Sequence, residues 1–250
     1  MCGRYLIEDE AYADILQILN DLKAAKDRIY TDNLPAESLM PGEGFIKGEV
    51  FPTNIAPVIE DCEIVAVKWG FPHWKNTGVI INARSETALE KKMFGKALRE
   101  RRCVIPSSGF YEWSHSSDSG SGGFGSDGSG FGRSGYSGSG YGSNYHTPRQ
   151  SGKRKAKEKF LFRKPEERML YMAGMVGTFH DTFGVEYSAF TILTTAANES
   201  VAPIHDRMPV ILGAEEVDLW ITDNSFMEFV LHRSGPELVT VKPSSQISLL

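Results

Sequence analysis

The stretch RRCVIPSSGFYEW, residues 101–113, contains an extended segment that ends at a turn. Arg102 to Ile105 is rich in the residue types that favour strands. Pro106 and Gly109 then interrupt the strand before the aromatic-rich segment Phe110 to Trp113. The stretch therefore predicts a short strand that ends at Pro106.

Strand patterns continue on both sides of this stretch. The candidates are Ile64 to Val67, Gly78 to Ile81, Lys159 to Phe162, Met169 to Phe179, Ser188 to Thr195 and Leu238 to Val241. Helical patterns are fewer and cover residues 8–25, where Ile15, Ile18, Leu19 and Leu22 share one face, then 86–98 and 214–222. Because strands outnumber helices and do not alternate with them regularly, we predict an α+β fold with a mixed or antiparallel β core and flanking helices.

Residues 114–152 differ in composition from the rest of the chain. They hold 12 of the 25 glycines together with 12 serines, and a basic flank continues to about residue 159. Such a segment buries too little apolar surface to offset the entropy lost on ordering. We predict a single domain over residues 1–250 that this insertion interrupts. The insertion either stacks its aromatic rings on unpaired bases or is a surface loop at a hairpin tip, and the loop is favoured.

Charge and composition limit the possible partners and locations. The net charge is −5, so a nucleic-acid partner requires a local basic patch. Apolar runs are far shorter than a membrane span, and the acidic start of the chain is unlike a secretory signal. The cysteines are widely spaced without a CxxC pair to hold zinc or a redox disulfide. We expect no metal and no cofactor. We expect a cytoplasmic monomer that does not bind membranes.

Position 2 carries the most reactive arrangement in the sequence. Removal of Met1 would leave Cys2 with a free α-amine beside its thiol, which together form a 1,2-aminothiol. The amine titrates near ~8 and the thiol near ~8.5. Such a pair condenses with an aldehyde to an imine, and the thiol then closes on the imine carbon to form a thiazolidine ring. Cys2 is therefore a candidate nucleophile.

Six sequence blocks in order resemble one protein family. They are Cys2 to Tyr5, Asn54 to Pro57, Trp69-Gly70, Asn82 to Thr87, Arg101 to Trp113, and Ile204 to Pro209. Together they closely resemble the SRAP (SOS response-associated peptidase) family of abasic-site processing proteins. The resemblance spans Cys2 to about Leu212, interrupted by the insertion. It implies recognition of abasic sites in single-stranded DNA, a covalent crosslink through Cys2 that protects the lesion, lyase-type chemistry, and a peptidase activity that removes Met1.

The resemblance also implies a set of active-site residues. These are Cys2, Asn82, Glu112 and His205. Between two aromatic residues, Glu112 has a carboxyl whose pKa desolvation would raise, which suits proton transfer during imine formation. His205 would assist opening of the sugar ring and the reverse reaction. Asn82 would hold the Cys2 amine or the sugar hydroxyls, although it equally suits the cap of the following helix.

Arginines adjoin several of these residues. Arg4, Arg84 and Arg207 are predicted to bind phosphates, and Trp69 is predicted to stack on a base. Two other functions remain open. One is an N-terminal-nucleophile amidohydrolase that uses Cys2, although its glutamine-binding motifs are not found. The other is a noncatalytic single-stranded DNA-binding module built on the insertion.

Overall fold

A computed structural model describes residues 2–11, 13–15, 17, 47–61, 63–73, 77–114 and 157–242. The strands are β1 (Arg4–Ile7), β2 (Gly48–Val50), β3 (Ile55–Glu60), β4 (Glu63–Trp69), β5 (Phe71–Pro72), β6 (Val79–Ile80), β7 (Asn82–Arg84), β8 (Arg102–Ser107), β9 (Gly109–Trp113), β10 (Lys159–Arg163), β11 (Leu170–His180), β12 (Glu186–Ala196), β13 (Arg207–Pro209), β14 (Ile211–Leu212) and β15 (Val239–Val241). The helices are α1 (Ser85–Ala88), α2 (Lys92–Glu100), a 3₁₀ turn (Ala214–Glu216), α3 (Val217–Thr222) and α4 (Asn224–His232).

The larger sheet closes on itself. Strands β12, β4, β3, β8 and β11 pair in this order, and β11 pairs again with β12. Strand β12 runs parallel to β4 and β7, whereas the other pairs within this sheet are antiparallel. The core is thus a mixed, barrel-like sheet with few helices, which confirms the predicted α+β class.

A smaller sheet of five strands has the order β15, β10, β9, β1, β2. Residues 101–113 connect the smaller sheet to the barrel, because β8 belongs to the barrel and β9 to the smaller sheet. Gly109 opens β9 where a side chain does not fit, since an added Cβ would lie 2.4 Å from the carbonyl oxygen of Phe162. Residues 101–113 therefore form two strands in two sheets, joined across Ser108.

The helices differ in detail from the sequence predictions. The helix predicted at 86–98 is divided into α1 and α2 by a turn. Residues 9–11, 13–15 and 17 are helical, and the remainder of the helix predicted at 8–25 lies partly outside the described residues. Helix α4 was not predicted from the pattern, although Asp223 caps it by accepting hydrogen bonds from the backbone of Ser225 and Phe226.

The described residues up to Ser114 and from Glu158 onwards belong to one compact unit. Apart from Ser114, the predicted insertion at 114–152 lies outside the described residues, so its boundaries and role stay predictions. No helix in the described part of the chain is long and apolar enough to cross a membrane. Within the same residues, no group of three or more His, Cys, Asp or Glu is placed to hold a metal ion.

Candidate active site

Strand pairing brings the start of the chain to Glu112. Strands β1 and β9 are antiparallel, with Arg4 opposite Tyr111. Cys2 lies two residues before Arg4, so the same register places it at the end of β9 that carries Glu112. The negative charge of the Glu112 carboxylate adds to the effect of burial in raising the pKa of the Cys2 thiol. Residues 110 positions apart in sequence therefore become neighbours.

Asn82 fixes the backbone of Cys2. It begins β7, which lies against β12 with Asn82 opposite Ile192. Its Nδ2 donates a hydrogen bond to the Cys2 carbonyl oxygen at 2.8 Å. Its Oδ1 is buried and accepts no hydrogen bond from the described residues. Asn82 does not cap the next helix, because the capping position of α1 is Arg84 and it has no side-chain cap.

The Cys2 thiol is held in its neutral form. The side chain is fully buried, and the thiol contacts the carbonyl oxygen of Arg4 at 3.5 Å. Burial raises the thiol pKa well above its ordinary value, and the charge of Glu112 raises it further. A buried neutral thiol is a weak nucleophile, so any reaction at this sulfur requires a group that takes its proton.

Glu112 has the protonation behaviour that such a reaction requires. The residue is 2% exposed. Burial raises the pKa of its carboxyl to about 7, against the opposing effect of the positively charged amino terminus. Near neutral pH, the protonated and ionised forms are thus both populated. A carboxyl with this pKa can accept and return protons during one reaction.

His205 completes the cluster. Its Nε2 lies 3.9 Å from Oε2 of Glu112. Its Nδ1 accepts a hydrogen bond from the backbone N–H of Arg207 at 3.0 Å, and an oxygen of Asp206 also lies 3.0 Å from Nδ1. The imidazole is mostly buried but retains some exposure. The structure thus gathers Cys2, Asn82, Glu112 and His205, which are the four residues predicted to act in catalysis.

The three predicted phosphate-binding arginines have different surroundings. Arg84 is exposed and has no ion pair to another described residue. Arg4 is partly buried, lies over the rings of Phe51 and Trp113, and pairs with Glu49 at 3.3 Å. Arg207 forms a bidentate ion pair with Glu86, with N···O distances of 2.6 and 2.9 Å. Of the three, Arg84 is the most accessible to a ligand.

The predicted base-stacking role of Trp69 is wrong for this conformation. Its side chain is fully buried. The Phe190 ring stacks on it and the Tyr5 ring is tilted against it, with centroid distances of 6.1 and 5.1 Å. The indole N–H donates a hydrogen bond to the carbonyl oxygen of Ile81. No face of the ring is free for a base. Strand β4 ends in the barrel core, which is why an aromatic residue inside a family motif is structural here.

Two charged residues beside the site were not singled out from the sequence. Lys159 pairs with Glu49 and lies 3.8 Å from the centre of the Tyr111 ring, so it adds a cation next to Arg4. Glu86 holds Arg207. Glu86 lies in the block Asn82 to Thr87, but sequence spacing gives no sign of a partner more than a hundred positions away.

Comparison with known proteins identifies relatives along most of the chain. A family model described as SOS response associated peptidase (SRAP) matches residues 1–122 and 143–243. Abasic site processing protein YoqW of Bacillus subtilis is 26% identical over 243 residues, which cover 92% of this chain and 86% of that protein. Abasic site processing protein YedK of Escherichia coli is 24% identical over 163 residues, with coverages of 65% and 56%. Abasic site processing protein HMCES of Mus musculus is 27% identical over 168 residues, with coverages of 63% and 44%.

Solved structures agree on the fold. A crystal structure of a protein from Bordetella bronchiseptica superposes with a TM-score of 0.58 at 18% identity, covering 96% of this chain and 98% of that one. A phage-related protein from the same organism gives 0.59 at 19% identity, with coverages of 96% and 94%. At these identities, the likeness supports the fold alone.

Proposed function

The chain belongs to the SOS response-associated peptidase family, and on that premise we propose that it processes abasic sites in single-stranded DNA by a covalent crosslink through Cys2. The observation that carries the proposal is a buried Cys2 beside a carboxyl whose pKa is raised to about 7. Removal of Met1 generates the reactive form, as the peptidase name of the family implies. The crosslink protects the lesion as a stable DNA–protein adduct.

The chemistry balances without an oxidant or a further reactant. The ring-opened sugar of an abasic site presents an aldehyde. The α-amine of Cys2 adds to its carbonyl carbon, and loss of one water gives an imine. The thiol sulfur then bonds to the imine carbon while its proton passes to the imine nitrogen. Overall, one aldehyde and one aminothiol give one thiazolidine ring and one water.

The residues around Cys2 divide the proton transfers between them. Glu112 in its protonated form assists departure of water, and in its ionised form it takes the thiol proton, because its pKa near 7 makes both forms available. His205 assists sugar ring opening and the reverse reaction. Asn82 holds the Cys2 carbonyl at 2.8 Å, which limits the positions of the amine and the thiol attached to the same Cα.

DNA binding in this proposal depends on cations close to Cys2. Arg84 is exposed and lies on β7, two residues after Asn82. Arg4 begins β1 and lies two residues after Cys2. Arg207 remains a proposed phosphate contact, but it would reach a phosphate only by leaving or sharing Glu86. Binding is expected to be independent of base sequence, since these contacts go to the phosphate backbone.

Intact mass spectrometry after incubation with abasic single-stranded DNA tests the proposal. We expect protein without Met1, and a covalent species heavier than the protein by the mass of the DNA less one water. Undamaged DNA of the same sequence is the control and should give no adduct. A protein that forms no adduct and instead hydrolyses glutamine would establish the amidohydrolase alternative.

Replacement of Arg84 is expected to weaken noncovalent binding to single strands. Arg84→Ala should cost ~1 to 3 kcal/mol of binding free energy, because a charged hydrogen bond to phosphate is lost. The dependence of log affinity on log salt concentration should also become shallower, by about 0.7 for one phosphate contact. Fluorescence anisotropy with labelled single strands measures both quantities. Arg99→Ala, which removes an exposed arginine on α2, should change neither; equal losses in the two variants would remove Arg84 from the interface.

A further inference from the structure

Two neighbours compete for the same nitrogen of His205. The backbone N–H of Arg207 donates to Nδ1 at 3.0 Å. A carboxylate oxygen of Asp206 lies at the same distance from Nδ1. An imidazole nitrogen either carries a proton in the ring plane or offers a lone pair there, and it cannot do both. The N–H of Arg207 has only a donor role, so this contact requires that Nδ1 be unprotonated.

An unprotonated Nδ1 fixes the tautomer of a neutral His205. The proton must then lie on Nε2, which is the nitrogen 3.9 Å from Glu112. The alternative tautomer, with the proton on Nδ1, would pair with Asp206 and present a lone pair towards Glu112. The Asp206 side chain is 79% exposed, so water competes for that pairing. Hence the N–H of Arg207 decides whether Nε2, the nitrogen that faces Glu112, carries the proton.

The pairing of β13 with β12 holds that backbone opposite Ala196, and side-chain contacts restrain it further. Both terminal nitrogens of Arg207 contact Glu86, at 2.6 and 2.9 Å, and one also donates to the carbonyl oxygen of Thr194. The Arg207 side chain is only 13% exposed. A bidentate arginine–carboxylate pair fixes the orientation of the guanidinium group as well as its distance from the carboxylate. Glu86 therefore restrains the residue whose N–H points at His205.

Glu86 lies on the segment that carries Asn82. Asn82 begins β7, and Glu86 is in α1, which follows β7 directly. The ion pair between Glu86 and Arg207 thus connects the segment that holds Cys2 with the segment that holds His205. The pKa of the Glu86 carboxyl is lowered, chiefly by its hydrogen bonds from Arg207, so Glu86 is ionised throughout the neutral range.

We propose that Glu86 is a positioning residue that acts through Arg207: their ion pair keeps the Arg207 N–H on Nδ1 of His205 and so fixes the imidazole as the Nε2–H tautomer facing Glu112. The tautomer itself follows from contacts within the protein. Its consequence for crosslinking rests on the proposed function. This role is additional to any phosphate contact that Arg207 makes.

Nitrogen-15 NMR of histidine side chains tests the tautomer without DNA. In the full-length protein at a pH of about 8, where an ordinary imidazole is neutral, we expect a pyridine-type resonance for Nδ1 and a pyrrole-type resonance for Nε2 of His205. Asp206→Asn should preserve this pattern. Glu86→Ala should produce averaged or exchanged resonances, with Glu86→Gln intermediate because its amide oxygen still accepts one N–H. A wild-type proton on Nδ1, or a pattern unchanged in both Glu86 variants, would overturn the proposal.

The rate of adduct formation shows whether Glu86 positions His205 or only competes with DNA phosphates for Arg207. Glu86→Ala should slow conversion of bound abasic DNA to adduct by about 10- to 100-fold, the loss expected from small misplacement of a reacting group. Its noncovalent Kd should stay within about threefold of wild type, a difference of less than 1 kcal/mol. Tighter binding with an unchanged rate would mean that Glu86 only competes with DNA, which contradicts the proposal. Glu90→Ala, an exposed carboxylate on the same segment, is the matched control and should retain the wild-type rate.

The two measurements distinguish failure of the proposed function from failure of the positioning role of Glu86. If wild-type protein forms no adduct, the proposed function fails while the NMR result still reports on Glu86. If adduct forms at the wild-type rate in both Glu86 variants, the positioning role fails and the proposed function stands.

Discussion

Cys2→Ala is expected to reduce the heat-stable adduct with abasic single-stranded DNA to background. Alanine at position 2 still permits removal of Met1, so the α-amine remains and an imine can form. Without the thiol no ring closes, and an imine hydrolyses on denaturation. Denaturing gels of wild type and variant measure the difference. Borohydride, which reduces an imine to a stable amine, should restore a trapped adduct in the variant, because the amine and the fold are intact.

Cys103→Ala provides the matched control. Cys103 is also a free and fully buried cysteine, but it lies on β8 within the barrel core. Its replacement should leave the yield of adduct unchanged. Equal amounts of heat-stable adduct from wild type and Cys2→Ala would exclude the thiazolidine. Adduct formation by protein that retains Met1 would exclude it as well, since the amine of Cys2 would then be part of a peptide bond.

Glu112→Gln is expected to slow adduct formation by about 10²- to 10⁴-fold, as is typical when general acid–base assistance is lost. The amide keeps the shape of the carboxyl but does not titrate. Where ring closure limits the rate, the wild-type rate should rise with pH through an inflection near 7, because ionised Glu112 accepts the thiol proton. The variant should lack this inflection. Single-turnover assays over a pH series measure both effects.

The control for this experiment is a carboxylate in a structural ion pair. Glu60→Gln removes the charge that Arg101 contacts at 2.6 Å on the barrel, and it should preserve the pH profile of adduct formation. Noncovalent DNA affinity should be nearly unchanged in Glu112→Gln. A wild-type rate and inflection in that variant would assign the proton transfers to another group.

Glu112→Gln should also stabilise the folded protein above neutral pH. Burial raises the pKa of Glu112 from 4.5 in the reference state to about 7 in the fold. Between these values the folded state binds more protons than the unfolded state, so wild-type stability falls as pH rises. The loss amounts to at most about 3 kcal/mol above pH 7. Urea unfolding at pH 8 should reveal the gain in the variant, and the gain should vanish below pH 4.5; no difference at pH 8 would mean that Glu112 is not desolvated.

The stabilising effect and the kinetic effect of one substitution would have a common origin. A carboxyl placed in a buried position costs stability whenever it is ionised. The same burial brings its pKa to neutrality, where it can both donate and accept protons. In the proposed mechanism, the burial that lowers stability also gives Glu112 the pKa that proton transfer needs, and the two measurements together distinguish it from a surface residue.

The sequence was sufficient for the fold class and for the choice of Cys2 as the candidate nucleophile. Local patterns identify four of the five barrel strands, β4, β8, β11 and β12, since β-branched and aromatic residues between turn residues indicate extended backbone. They do not identify β3, which contains Pro57. Cys2 is recognisable because the chemistry of an aminothiol depends on adjacent atoms of one residue. Asn82, Glu112 and His205 were predicted from their places in sequence blocks that occur in the order typical of the family.

The tertiary structure alone decided how these residues interact. Asn82 was equally suited to capping a helix, and only the pairing of β7 with β12 directs it to the Cys2 carbonyl. Trp69 lies in a family block, yet the closure of the barrel buries both its faces. The ion pair of Glu86 with Arg207 joins distant segments. Burial, long-range ion pairs and pKa values depend on which surfaces pack together, and no local pattern of residues contains that information.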